Sequence, residues 1–177
     1  FGGERALGDK CALPSSLYTG VRYKPLLTGG MALLAGGAMP LAFAPVGWAW
    51  LAVIALATFF VLTAQSSRRQ ALWSAYLFGL GYFGVGVSWV FISISQYGNG
   101  PVVAVLVTAA FVSLLALFPW GVAYLVRCLR PEMDAMALWL GLPAAWVLSE
   151  WMRTWFLTGF PWLFIGYSQT DTTLATI

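Results

Sequence analysis

No histidine occurs anywhere in the 177 residues, and charge is nearly as scarce: Asp, Glu, Lys and Arg make up 8% of the chain, against about a quarter in an average soluble domain. Without histidine, Ser-His-Asp and Cys-His nucleophile systems are excluded, as are the usual histidine-containing metal sites. With so little charge a water-soluble fold cannot be covered. Cysteine is sparse too. Cys11 and Cys128 are far apart and form no C-x-x-C, so neither a zinc site nor a disulfide framework is indicated and both read as unpaired thiols. No metal and no cofactor is expected.

What the chain has instead is apolar and aromatic: 60% hydrophobic residues, ten Trp, seven Tyr and twelve Phe. The apolar residues come in long blocks, not in a period-2 or period-3.6 mixture with polar ones. The blocks run over 26–44, 48–64, 71–93, 102–126 and 135–151, each near the roughly 20 residues a helix needs to cross about 30 Å of hydrocarbon, the second and fifth being short. The expectation is an all-α membrane protein, a bundle of about five transmembrane helices over 26–152. Pro45-Val46-Gly47 reads as a tight turn between the first two spans. Pro40, Pro119 and Pro143 fall inside runs, where neighbouring helices can satisfy the backbone groups a proline frees.

The basic residues, nine against six acids, sit in small groups and not in one stripe, a pattern of membrane topology and not of nucleic-acid binding. Arg22 and Lys24 precede the first span, Arg68 and Arg69 follow the second, and Arg127 and Arg130 follow the fourth. Pro45–Gly47 and Gln96–Pro101 carry no charge. The positive-inside rule therefore places the N-terminus in the cytoplasm and the uncharged turns outside, with 153–177 at the outer face. Residues 1–25 mix charge, Gly, Pro and Ser without periodicity and do not begin with Met; they read as a disordered or foreign leader without a secretory cleavage pattern. No sequence repeat stands out.

Gly79-Leu80-Gly81-Tyr82-Phe83-Gly84 formally matches G-x-G-x-x-G. The dinucleotide fingerprint needs a strand before it and an acid about 20 positions on, and 98–106 hold none. In a membrane helix these glycines, with Ala75, Gly86 and Ser88, are small surfaces that let another helix approach. Trp48, Trp50, Trp89, Tyr97, Trp155, Trp162 and Tyr167 fall near the outer span ends, as interfacial anchors do.

The segment Glu150-Trp151-Met152-Arg153 is different. An acid at the end of a short apolar span is expensive unless paired, and Glu150 and Arg153 lie at i, i+3 on one helix face. The pair is a functional-site candidate and equally a structural clamp. After it, Thr158-Gly159-Phe160-Pro161-Trp162-Leu163 stops the helix and flanks two large aromatics. It reads as a short re-entrant or surface element at the interface, or as an ordinary exit loop.

Taken in order, Leu41–Pro45 (LAFAP), Phe78–Trp89 (FGLGYFGVGVSW) leading to Ser93-Ile94, Glu150–Arg153 (EWMR) leading to Leu157–Leu163 (LTGFPWL), and Gly166–Gln169 (GYSQ) resemble the N-terminal membrane half of the apolipoprotein N-acyltransferase family. The likeness covers roughly 26–175, and it is the ordered set, not any single piece, that is specific. The resemblance implies a bacterial inner-membrane enzyme that moves an acyl chain from a phospholipid donor, through a cysteine thioester, to the amino group of a diacylglyceryl-cysteine on a lipoprotein acceptor. Its partners are then phospholipid, lipoprotein and membrane lipids, not nucleic acid. It also implies that the chemistry belongs to a nitrilase-like domain with a Glu-Lys-Cys triad, a domain absent from this chain, so that the 177 residues alone are expected to be inactive. Cys128, between Arg127 and Leu129, has no acid-base partner in sequence and is not the nucleophile. The candidate lipid-binding residues are Glu150, Arg153, Phe160, Pro161 and Trp162; no catalytic residue is assigned. A transporter half would carry more polar residues within its spans, and a non-catalytic membrane scaffold remains the third reading.

Overall fold

The computed structural model describes residues 25–97, 100–156, 159–170 and 172. The leader expectation covers 1–25; residues 1–24, Cys11 among them, lie outside the described residues, as do Asn99 and Thr158, and Pro25 belongs instead to the first helix. Among the described residues all regular structure is helical, and the chain is an all-α membrane protein. Helix α1 is Pro25–Ala38, α2 Ala49–Gln65, α3 Arg68–Gly86, α4 Ser88–Tyr97, α5 Pro101–Leu115, α6 Leu117–Leu129 and α7 Leu142–Arg153. A 3₁₀ turn, Met39–Ala42, follows α1, a π turn, Ala137–Gly141, leads into α7, and a 3₁₀ turn, Ile165–Gln169, follows it.

The ends follow local chemistry. Pro25 and Pro101 open their helices, where a missing N–H is no loss, so α1 begins one residue before the apolar run. Ser67 caps α3, its Oγ accepting from Gln70 N at 3.4 Å. Pro40 cannot donate to the carbonyl a turn earlier, so the first run stops being α-helical at Ala38 and ends in the 3₁₀ turn, short of the expected 44. The turn that follows is closed by Val46 N to Phe43 O at 3.1 Å and Gly47 N to Phe43 O at 2.9 Å, with Gly47 at φ 72°.

Two of the rods differ from a plain span. The run 71–93 is two helices, α3 and α4, bent by 50° at Val87, where Gly84 and Gly86 weaken the helix and the chain makes way for Leu163. The run 102–126 continues from α5 through Ala116 into α6, because Pro119 removes a donor without forcing a turn. By length and apolarity two helical stretches, Pro25–Ala42 and Pro101–Leu129, can cross a membrane, and three if the bent α3–α4 pair is one span. Ala49–Gln65 is apolar but shorter. The five apolar runs are thus five helical rods, and the count of crossings is approximate.

Small residues set the packing, as in membrane bundles generally. A Cβ on Gly81 would collide with Leu33 O, one on Gly36 with Phe78 O, and one on Gly79 would lie 2.7 Å from Ala116 Cα. Gly81 and Gly79 of the G-x-G-x-x-G match therefore seat α3 against α1 and against the α5–α6 junction respectively. Beside them an aromatic core forms: Phe59 lies 4.8 Å from Phe78 and 5.6 Å from Trp146 between ring centres, and Tyr82 4.7 Å from Phe83. Trp48, Trp50, Trp89, Tyr97, Trp155, Trp162 and Tyr167 are all exposed.

Candidate functional site

At the end of α7 the backbone turns back over the bundle. Phe160 N donates to Arg153 O at 2.7 Å and Gly159 N to Phe156 O at 2.9 Å, with Gly159 at φ 86°. These bonds satisfy carbonyls that a helix terminus leaves orphaned. Leu163, at φ 57°, is buried, and its side chain occupies the space a Cβ on Gly86 would need. The segment is thus a loop that turns back and plugs Leu163 into the bend between α3 and α4.

Three polar side chains hold it there. Glu150 Oε1 accepts from Ile165 N at 2.9 Å and from Trp146 Nε1 at 3.1 Å, and lies 3.6 Å from Arg153 Nη2. Arg153 Nη1 donates to Trp162 O at 3.0 Å. The hydroxyl of Tyr82, on α3, donates to Leu163 O. Arg153 is almost wholly enclosed, at 2% exposure, with its guanidinium over the rings of Phe164 at 4.9 Å, Phe83 at 5.3 Å and Phe118 at 5.9 Å. Cation–π contact of this kind compensates part of the desolvation of a buried cation, and Glu150 compensates the charge. The Nε of Arg153 is buried without a hydrogen-bond partner among the described residues.

A crevice of about 200 Å³ opens beside this cluster, between α5, α6 and the loop, lined by Phe111, Phe118, Arg153, Phe156 and Phe160 among others. Phe160 closes one wall, edge-on to Phe111 at 5.2 Å. The structure therefore brings together Glu150, Arg153, Phe160 and the backbone of Trp162. The Trp162 ring points elsewhere, 5.9 Å from Trp89 on α4 and half exposed, and Pro161 is exposed at the tip of the turn.

Tyr82, Trp146 and Ile165 complete the cluster and escaped the sequence reading. A tyrosine within a small-residue run is a visible signal, since a buried hydroxyl needs a partner; which carbonyl it meets depends on the loop's return. Arg127 escaped it as well, having served only to orient the chain. It is buried, and its Nη2 donates to Thr63 O at 2.6 Å, Ala64 O at 3.4 Å and Ser66 O, so that α6 caps the C-terminus of α2. Cys128 is a free, exposed thiol that receives Arg68 Nη2 at 3.3 Å. Among the described residues no three His, Cys, Asp or Glu gather where a metal could be held. Chemically the site anchors and encloses; it presents no nucleophile with a base.

Comparison with known proteins agrees in one direction. The family model for the apolipoprotein N-acyltransferase N-terminal domain matches residues 35–177. Curated relatives include the apolipoprotein N-acyltransferases of Methylococcus capsulatus, 47% identical over 158 residues, of Coxiella burnetii, 43% over 147, and of Vibrio parahaemolyticus, 39% over 145. The matches cover 83%, 81% and 81% of this chain but 29%, 30% and 29% of the relatives, so the chain spans about three-tenths of their length. On a profile match over most of its length and on these identities, the chain belongs to the apolipoprotein N-acyltransferase family.

Proposed function

We propose that these residues are the membrane part of an enzyme that transfers an acyl chain from phospholipid to the N-terminal diacylglyceryl-cysteine of lipoproteins, in the bacterial inner membrane and with the N-terminus cytoplasmic. The reaction centre lies outside the 177 residues, and the chain alone forms no acyl-enzyme. What the bundle contributes is access. Glu150 and Arg153 fix the end of α7, and Phe160, Pro161 and Trp162 form a lip at which acyl chains enter from the outer leaflet. The observation that carries this reading is the aromatic crevice of about 200 Å³ beside the loop, whose wall includes Phe160; the half-exposed Trp162 ring stands outside it, against Trp89.

The test is Trp162→Ala in the whole enzyme. It removes an interfacial ring and its contact with Trp89 without stranding a charge or touching the backbone carbonyl that Arg153 reads. Acyl transfer per enzyme molecule should fall about fivefold, the equivalent of one aromatic contact of ~1 kcal/mol, with normal amounts of protein in the membrane. Unchanged turnover per molecule would rule out the lip. Orientation has its own check: in spheroplasts an impermeant thiol reagent should leave Cys128 unmodified and should label a cysteine substituted at the exposed Tyr97. Rapid labelling of Cys128 would invert the topology.

A further inference from the structure

The opposite end of the bundle carries a second crevice that acyl transfer does not call for. About 330 Å³ in volume, it lies between α3 and α6 and is lined by Arg69, Leu72, Trp73, Tyr76, Leu117 and Trp120. Its floor is apolar, so it suits hydrocarbon. Its aromatic walls are ordered: Trp73 stands edge-on to Tyr76 at 6.5 Å, and Trp120 stacks on Tyr124 at 5.1 Å. Rings of this kind sit at the headgroup level of a bilayer. The mouth is cationic. Arg69 is exposed and has no ion-pair partner among the described residues, and Arg68 beside it lies over the Tyr124 ring at 5.7 Å. Both open α3, whose N-terminus adds partial positive charge.

We propose that this crevice is a binding site for one anionic phospholipid of the leaflet at that end, with an acyl chain between Trp73 and Trp120 and the phosphate on Arg69. Charge complementarity selects the occupant. One exposed cation in the wall of an apolar slot, Arg69, with Arg68 beside it over Tyr124, matches a lipid with net negative charge, while a zwitterionic lipid brings its own cation to the same place. A second copy of this chain would set arginine against arginine. The site rests on the membrane reading alone and stands or falls independently of acyl transfer.

The whole enzyme that contains these residues is reconstituted in phosphatidylcholine vesicles containing a minor fraction of lipid brominated in its acyl chains, either phosphatidylglycerol or phosphatidylcholine. Tryptophan quenching in wild type minus that in Trp120→Phe isolates the ring in the crevice. The expected result is quenching of Trp120 at about fivefold lower fraction of phosphatidylglycerol than of phosphatidylcholine, the preference one basic side chain gives near an anionic surface. Arg69→Gln, an exposed and structurally mild change, should abolish the preference. Arg130→Gln, which removes a charge from the same end but outside the crevice, should keep it. Equal quenching by the two lipids, a Trp120 signal shielded from both by self-association, or equal losses in Arg69→Gln and Arg130→Gln would each overturn the site.

Discussion

Each end of the bundle is closed by a buried arginine, and the two do different work. Arg127, on α6, bonds among the described residues to main-chain oxygens: its Nη2 reads Thr63, Ala64 and Ser66 at the end of α2, and its Nη1 Pro131. Arg153, on α7, has a carboxylate 3.6 Å away, three rings around it and one loop carbonyl in reach. The first joins helix to helix, placing positive charge at the negative end of a helix dipole. The second joins a loop to helices, and because Glu150 shares the load it forms a unit whose parts depend on one another. An isolated cap fails locally; a coupled pair fails as a pair.

Glu150→Ala should therefore have the largest effect. It leaves Arg153 without its counter-charge in a nearly dry setting, at a cost of about 3–5 kcal/mol, and strips acceptors from Ile165 N and Trp146 Nε1. Membrane levels and thermal stability in detergent should both fall. Glu150→Gln, which keeps an acceptor oxygen, should recover part of the loss. Should the two variants unfold alike, the charge and not the hydrogen bonding is what matters; should neither lose stability, the coupling of the pair is wrong.

Arg127→Met comes next. Charge-assisted hydrogen bonds contribute about 1.5–3 kcal/mol each; the bond to Thr63 O is buried while those to Ala64 and Ser66 are part-buried, so a net loss of about 2–3 kcal/mol is expected. Hydrogen exchange should rise in the last turn of α2 and leave the loop at 159–165 protected. Exchange rising equally in that loop would show that the two ends are not independent.

These two arginines also mark how far the sequence carries. The apolar runs, the turn at Pro45–Gly47 and the i, i+3 pairing of Glu150 with Arg153 are legible because each is a local pattern: run length, punctuation, spacing on one helix. The bend at Val87 is not, since 71–93 is apolar on both sides of it and only Leu163, some 75 residues on, supplies a reason for Gly86. Arg127 reads as one more loop charge until α2 is placed beside α6. Of the site, the pair and the aromatic turn were visible, while Tyr82 and Trp146 belong to it through tertiary contacts that spacing cannot express. The direction of the Trp162 ring, toward Trp89 and away from the pair, is of the same kind.

Tyr82→Phe is the finest test, since it removes one hydroxyl that touches both the loop and Arg153 and leaves Glu150 in place. The ring stays, and with it the packing on Phe78, Phe83 and Trp146, so no cavity forms and the core is unchanged. The hydroxyl is lost, and with it the bond to Leu163 O, about 1 kcal/mol as a net hydrogen bond, and a contact with the Arg153 guanidinium. Glu150 and Arg153 keep each other and their contacts at Ile165 N and Trp162 O. Hydrogen exchange at 164–166 should therefore quicken about fivefold, the equivalent of 1 kcal/mol, with α2, α6 and the melting midpoint nearly as in the parent chain. A fall in overall stability as large as that of Glu150→Ala would make Tyr82 a member of the buried charge network and not a tether. No change in loop exchange would mean that Leu163 is held by its side chain against Gly86 alone.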